Sequence, residues 1–141
     1  MHPNNDQKEF DFRGRDGHTL FASMLGSGPF IVLLHGGGPD RRSLLPLARR
    51  LAERFTVALP DIRGYGASIC VGPGRHTWHQ YADEVFALLD HLGAPSAALG
   101  GAGLGSTITL RAGLLAPKRL RALVLMGVED IEDDAAKAVE T

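Results

Sequence analysis

From residue 30 to residue 128 short, wholly apolar runs alternate with longer segments in which apolar residues recur every three or four positions. This alternation is the pattern of a parallel sheet whose strands are joined by crossover helices. The runs at 30–34, 56–59, 96–99 and 122–128 are the predicted parallel strands. Ahead of them, Phe10 and Phe12 alternate with charges over residues 9–13, the period-2 signature of a half-exposed strand, and 19–25 reads as its partner. Between the two lies GRDGH at 14–18, where Asp16-Gly17 is expected to supply the positive-φ residues of a hairpin turn. An antiparallel pair should therefore precede the parallel strands, giving about six strands in all.

Three helices fill the intervals. The first has Ser43 as its expected N-cap and sets Leu44, Leu47, Leu51 and Phe55 on one stripe, away from Arg49, Arg50, Glu53 and Arg54. The second, 77–92, buries Tyr81, Val85, Phe86, Leu89 and Leu92 and stops at Gly93, ahead of Pro95. The third, 104–115, is ended by Ala116-Pro117. Residues 1–8 form a polar tail, 9–128 a single α/β domain, and 129–141, EDIEDDAAKAVET, an acidic stretch that reads as a solvated helix start.

Composition narrows the function classes. A chain of 141 residues buries roughly 68% of its unfolded surface, enough for a real core. With 15 basic and 16 acidic side chains the net charge is -1, which offers no positive field for a phosphate backbone, so nucleic acid is not an expected partner. No apolar run has membrane-spanning length and the first twenty residues carry no signal-peptide pattern, which leads to a cytoplasmic expectation with no membrane partner. Cys70 is the single cysteine, so neither an intrachain disulfide nor a thiolate metal cluster is expected.

Three stretches carry a more specific signal. HGGGP at 35–39 follows the first parallel strand, LPDIRGYGAS occupies 59–68, and LGGAGLGS occupies 99–106 at a strand-to-helix junction. In this order and spacing they resemble the landmarks of the α/β-hydrolase family, near its esterase, epoxide hydrolase and carbon-carbon hydrolase branches, over roughly residues 9–128. The resemblance implies a truncated α/β-hydrolase sheet with strand order 1-2-4-3-5-6, the family's remaining two strands lying beyond this chain. It also makes 129–141 either a helix start or the remnant of a cap.

The family's nucleophile sits third in G-x-S-x-G, lifted above the sheet by a sharp turn with flanking glycines. The matching residues here are Gly101, Ala102, Gly103, Leu104 and Gly105, so the serine position falls on Gly103, which has no atom able to attack a carbonyl or epoxide carbon. Ser106 lies one turn into the helix, where a hydroxyl caps or bonds back to the backbone. The resemblance nominates the backbone N–H groups of Gly37, after His35 and Gly36, and of Leu104 as an oxyanion hole. It nominates Glu129 and Asp130 for the acid, since some members carry theirs after the sixth strand. The family's general-base histidine follows its eighth strand; His76, His79 and His91 all belong to the second helix region and are poor substitutes, and Cys70 lacks the electropositive neighbours of a reactive thiol.

The expected function is thus that of a hydrolase-lineage chain that is catalytically impaired or incomplete, able to hold a small-molecule ligand, with no cofactor and no metal. Two alternatives stand beside it. One is an active hydrolase using an unrecognised nucleophile or a partner chain. The other is a dinucleotide-binding module, for FAD or NAD, built on the turn from Gly101 to Ser106 with Glu129 facing a ribose hydroxyl. A strand at 122–128 with no outer neighbour would leave an apolar edge, from which a homo-oligomer or a second chain pairing with that sixth strand is expected.

Overall fold

The computed structural model describes residues 7–69 and 77–128. Its strands are β1 (Lys8–Arg13), β2 (Thr19–Gly26), β3 (Phe30–Leu34), β4 (Thr56–Pro60), β5 (Ala97–Gly103) and β6 (Leu120–Val128), and its helices α1 (Leu45–Leu51), α2 (Trp78–Leu92) and α3 (Leu104–Leu115). They form one six-stranded sheet in the order β1-β2-β4-β3-β5-β6. β1 pairs antiparallel with β2 and β2 with β4; β4, β3, β5 and β6 run parallel. The truncated α/β-hydrolase sheet implied by the three motifs is therefore present.

Strand residues alternate between two apolar layers. Val32, Leu34, Ala58 and Leu99 face α2 and α3, packing on Tyr81, Val85, Phe86, Leu88, Leu89 and Ile108. Leu25, Ile31, Leu33, Val57 and Leu59 face α1, against Ala48 and Ala52. Both faces of the central strands are buried, which is why those strands read as unbroken apolar runs.

Local chemistry accounts for the element ends, with some corrections to the sequence expectation. Gly17 takes φ 87 at the hairpin, but among the described residues no non-glycine has positive φ, so Asp16 serves the turn through its carboxylate, which accepts from the His18 N–H, and not through its backbone. Ser43 is not the N-cap of the first helix. Asp40 caps a 3-10 turn over Arg41–Leu44 by accepting from the Arg42 N–H, and the α-helix behind it has only seven residues because Pro46 enters at its start. Thr77 caps α2 by accepting from the Gln80 N–H, and Gly93, at φ 68 and ψ 23, closes it in the left-handed conformation. β5 extends four residues past its predicted end at 99 because Gly100 and Gly101 pair with Leu33 and Leu34 on one side and with Val124 and Leu125 on the other.

Candidate functional site

β5 passes into α3 without a connecting loop: Gly103 ends the strand and Leu104 begins the helix. Gly103 has φ 54 and ψ −117, close to the first central position of a type II′ turn, a conformation that favours glycine. The flanking glycines are demanded by close approach. A Cβ on Gly101 would stand 2.1 Å from the Gly105 carbonyl oxygen, and one on Gly105 would stand 2.2 Å from that of Leu34. The sharp strand-to-helix turn required for a nucleophile is thus fully built, and the residue at its apex has no side chain.

The glycine loop after β3 lies against this turn. A Cβ on Gly36 would be 3.4 Å from the Ala102 carbonyl oxygen; one on Gly37 would be 3.8 Å from Leu104 Cβ and 3.7 Å from the Tyr65 hydroxyl. Gly37 and Leu104, the two nominated oxyanion donors, are therefore neighbours at the head of α3, where first-turn N–H groups have no partner within the helix.

His35 holds the loop in place. It is fully buried; its Nε2 accepts from the Ile62 N–H at 2.9 Å, which leaves Nδ1 to donate to the Gly36 carbonyl at 2.7 Å. Burial pushes its pKa down, more than the Gly36 carbonyl and the Asp61 charge raise it. The ring is a neutral tie between the loop after β3 and the loop after β4, with both nitrogens occupied, and not a free base.

The loop after β4 contributes buried charge that the sequence reading registered only as a landmark. The Asp61 carboxylate accepts from the Arg41 N–H and the Ala67 N–H, each at 2.8 Å, and pairs with the Arg41 guanidinium. The buried Arg63 guanidinium donates to Glu84 on α2 through Nε at 2.6 Å and to Asp16 in the hairpin at 2.8 Å. Burial raises the Glu84 pKa in spite of Arg63; Asp16 is opposed by burial too, but Arg63 and the His18 N–H outweigh it and hold its carboxyl at about 2. A helix-period reading places Glu84 beside buried Val85 without revealing that an arginine twenty-one residues earlier reaches it. The signal available was the pair of charges in DIRG directly after an apolar strand.

Ser106 is buried, donates to the Gly101 carbonyl at 2.5 Å and accepts from the Met126 N–H at 3.1 Å. Its hydroxyl belongs to the backbone of the turn. His79 is exposed on α2, and His91 stacks on Phe10 with ring centroids 5.4 Å apart; neither is brought to Gly103. Cys70, His76, Glu129 and Asp130 lie outside the described residues. Among the described residues no group of three histidine, cysteine, aspartate or glutamate side chains could hold a metal, and no helix is long and apolar enough to cross a membrane.

Comparison with known proteins agrees with the fold. Residues 29–140 match the family model described as the alpha/beta hydrolase fold. The chain is 31% identical over 108 residues to a pimeloyl-[acyl-carrier protein] methyl ester esterase of Pseudoalteromonas atlantica, covering 77% of this chain and 40% of that protein. It is 32% identical over 123 residues to a 2-(acetamidomethylene)succinate hydrolase of Mesorhizobium japonicum, covering 86% and 44%. Among solved structures, a hydrolase from Pseudomonas aeruginosa superposes with a TM-score of 0.83 at 29% identity over 94% of this chain and 51% of that one. An epoxide hydrolase from an endophytic Streptomyces gives 0.78 at 25%, over 84% and 36%. The chain thus spans less than half the length of the curated relatives it matches. The sheet order, the glycine-built turn between β5 and α3 and the matched family model lead to one conclusion: this chain belongs to the alpha/beta hydrolase fold family.

Proposed function

We propose that this chain is a catalytically impaired member of the ester, epoxide and carbon-carbon hydrolase lineage, one that holds a small molecule at the head of α3 without cleaving it. The observation that carries this reading is Gly103, at φ 54 and ψ −117, on a turn otherwise complete. Covalent catalysis needs an oxygen, sulfur or carboxylate at that apex, and Ser106, the nearest hydroxyl in sequence, is buried and hydrogen-bonded twice. The Gly37 and Leu104 N–H groups still suit a carbonyl or carboxylate oxygen, because backbone donors survive the loss of a side chain.

Loss of a nucleophile costs on the order of 10⁶ in kcat where this has been dissected. Hydrolysis of a p-nitrophenyl ester should therefore stay at the buffer background, the ester should raise the melting temperature without being turned over, and a fluorophosphonate should leave the protein unlabelled. A labelled serine, or saturable turnover by the unaltered protein, would establish the alternative of an active hydrolase with another nucleophile and end the proposal. A dinucleotide on the turn from Gly101 to Ser106 is the reading from another class. It would need that first turn free, whereas Ser106 is spent on Gly101 and Met126. Titration with FAD or NAD should leave the melting temperature unchanged, and a saturable rise would favour the dinucleotide instead.

A further inference from the structure

Tyr65 stands in the loop after β4, and its backbone is tied on both sides: its N–H donates to the Ile62 carbonyl at 2.8 Å, and its carbonyl accepts from the Ser68 N–H at 2.9 Å. The ring is partly buried against the core and meets the buried His35 imidazole edge-on, with centroids 5.4 Å apart and planes at 71°. A ring fixed in this way has little freedom left to lose when its hydroxyl takes a partner. That hydroxyl is carried to the glycine loop after β3. A Cβ on Gly37 would stand 3.7 Å from it and 3.8 Å from Leu104 Cβ, ordinary contact distances, so a methyl-sized space in front of Gly37 is walled by Leu104 and by the phenol oxygen. Among the described residues the Tyr65 hydroxyl has no hydrogen-bond partner.

With the two nominated backbone N–H groups, of Gly37 and Leu104, the phenol makes three donors around one spot. A carboxylate suits such a set, because it offers two oxygens that only accept and has no proton to place. The alkoxy oxygen of an ester accepts poorly and brings an alkyl group to the second position. A hydrogen bond to an ionised oxygen is also about twice as strong as one between neutral groups. The acids of the two flanking loops do not oppose an anion there, since Asp61 is paired with Arg41 and Asp40 with Arg42.

We propose that Tyr65 determines the specificity of the site at the head of α3, its hydroxyl selecting a carboxylate over the corresponding neutral ester. This rests on the reading of that site as a ligand holder and adds which ligand it takes. Butanoate and methyl butanoate are the probes, tested on the full chain isotope-labelled at the ring Cζ of its two tyrosines, Tyr65 and Tyr81. Butanoate should shift the Tyr65 resonance saturably and leave that of Tyr81 in place, and methyl butanoate should bind roughly tenfold or more weakly. Tyr65→Phe keeps the ring and its edge contact with His35. It should bind butanoate roughly tenfold less tightly, lose most of the preference over the ester, and unfold at an unchanged urea midpoint; a role in packing alone would move the midpoint and not the preference. Equal affinity of the unaltered chain for the two probes, or a Tyr65→Phe variant that keeps the preference, overturns this inference and leaves the ligand-holding reading standing. Binding of neither probe at millimolar concentration overturns both.

Discussion

Gly103 is the position at which chemistry and conformation meet. With φ 54 and ψ −117 it lies where any residue bearing a Cβ is strained, and strain of this kind costs of order 1–3 kcal/mol. Glycine removes both the reactive atom and the strain. Gly103→Ser should therefore lower the free energy of unfolding in urea by about 1–3 kcal/mol, although serine is larger and otherwise no worse a fit for a polar site. An unchanged unfolding midpoint would show the turn to be relaxed for all residues. The sequence showed that the serine was missing, because G-x-G-x-G stands where G-x-S-x-G would. It could not show that the turn survives the loss; that follows from Gly101 and Gly105, whose close approaches to Gly105 and Leu34 hold the geometry without help from the apex.

Between elements, one set of connections is ionic and centres on a buried guanidinium. Arg63 joins the loop after β4 to α2 through Glu84 and to the β1–β2 hairpin through Asp16. Removing one partner of such a pair leaves the other charge without compensation, at a cost of about 3–5 kcal/mol. Arg63→Ala should accordingly destabilise the fold by that amount in chemical denaturation. Glu84→Gln, which neutralises a carboxyl whose pKa burial already raises, should cost clearly less. Equal losses would mean that Arg63 matters for packing alone. Elements with a strong period were legible in the sequence: α2 has its Gly93 stop where it was expected and nearly its expected start, and α3 has its predicted bounds. Weaker segments were not, since the short α1 is governed by Asp40 and Pro46 and β5 by glycines that carry no strand propensity of their own. Long-range charge pairs were invisible for a simpler reason, that periodicity describes a segment and not its partner.

At the scale of the molecule, the two loops that frame the head of α3 depend on one uncharged imidazole. His35 is neutral in the fold, with its pKa pushed down by burial, whereas an unfolded histidine titrates near 6.5. Below that value the unfolded state takes up a proton that the folded state resists, so stability is full at neutral pH and falls as the pH drops through about 6.5 toward the lowered folded value. Unfolding free energies measured between about pH 7.5 and 5 should decline, and His35→Gln should flatten that decline; a slope untouched by the substitution would assign it to other groups.

Ser106 gives the architecture a reach beyond its own turn. One hydroxyl bonds to the Gly101 carbonyl inside the sheet and to the Met126 N–H on the outermost strand. The strand leading into the turn and β6 are therefore tied through a single side chain. A shift of β6 along its axis would have to break the Met126 bond or carry the Gly101 carbonyl with it, so the register of that strand and the base of the turn are set together.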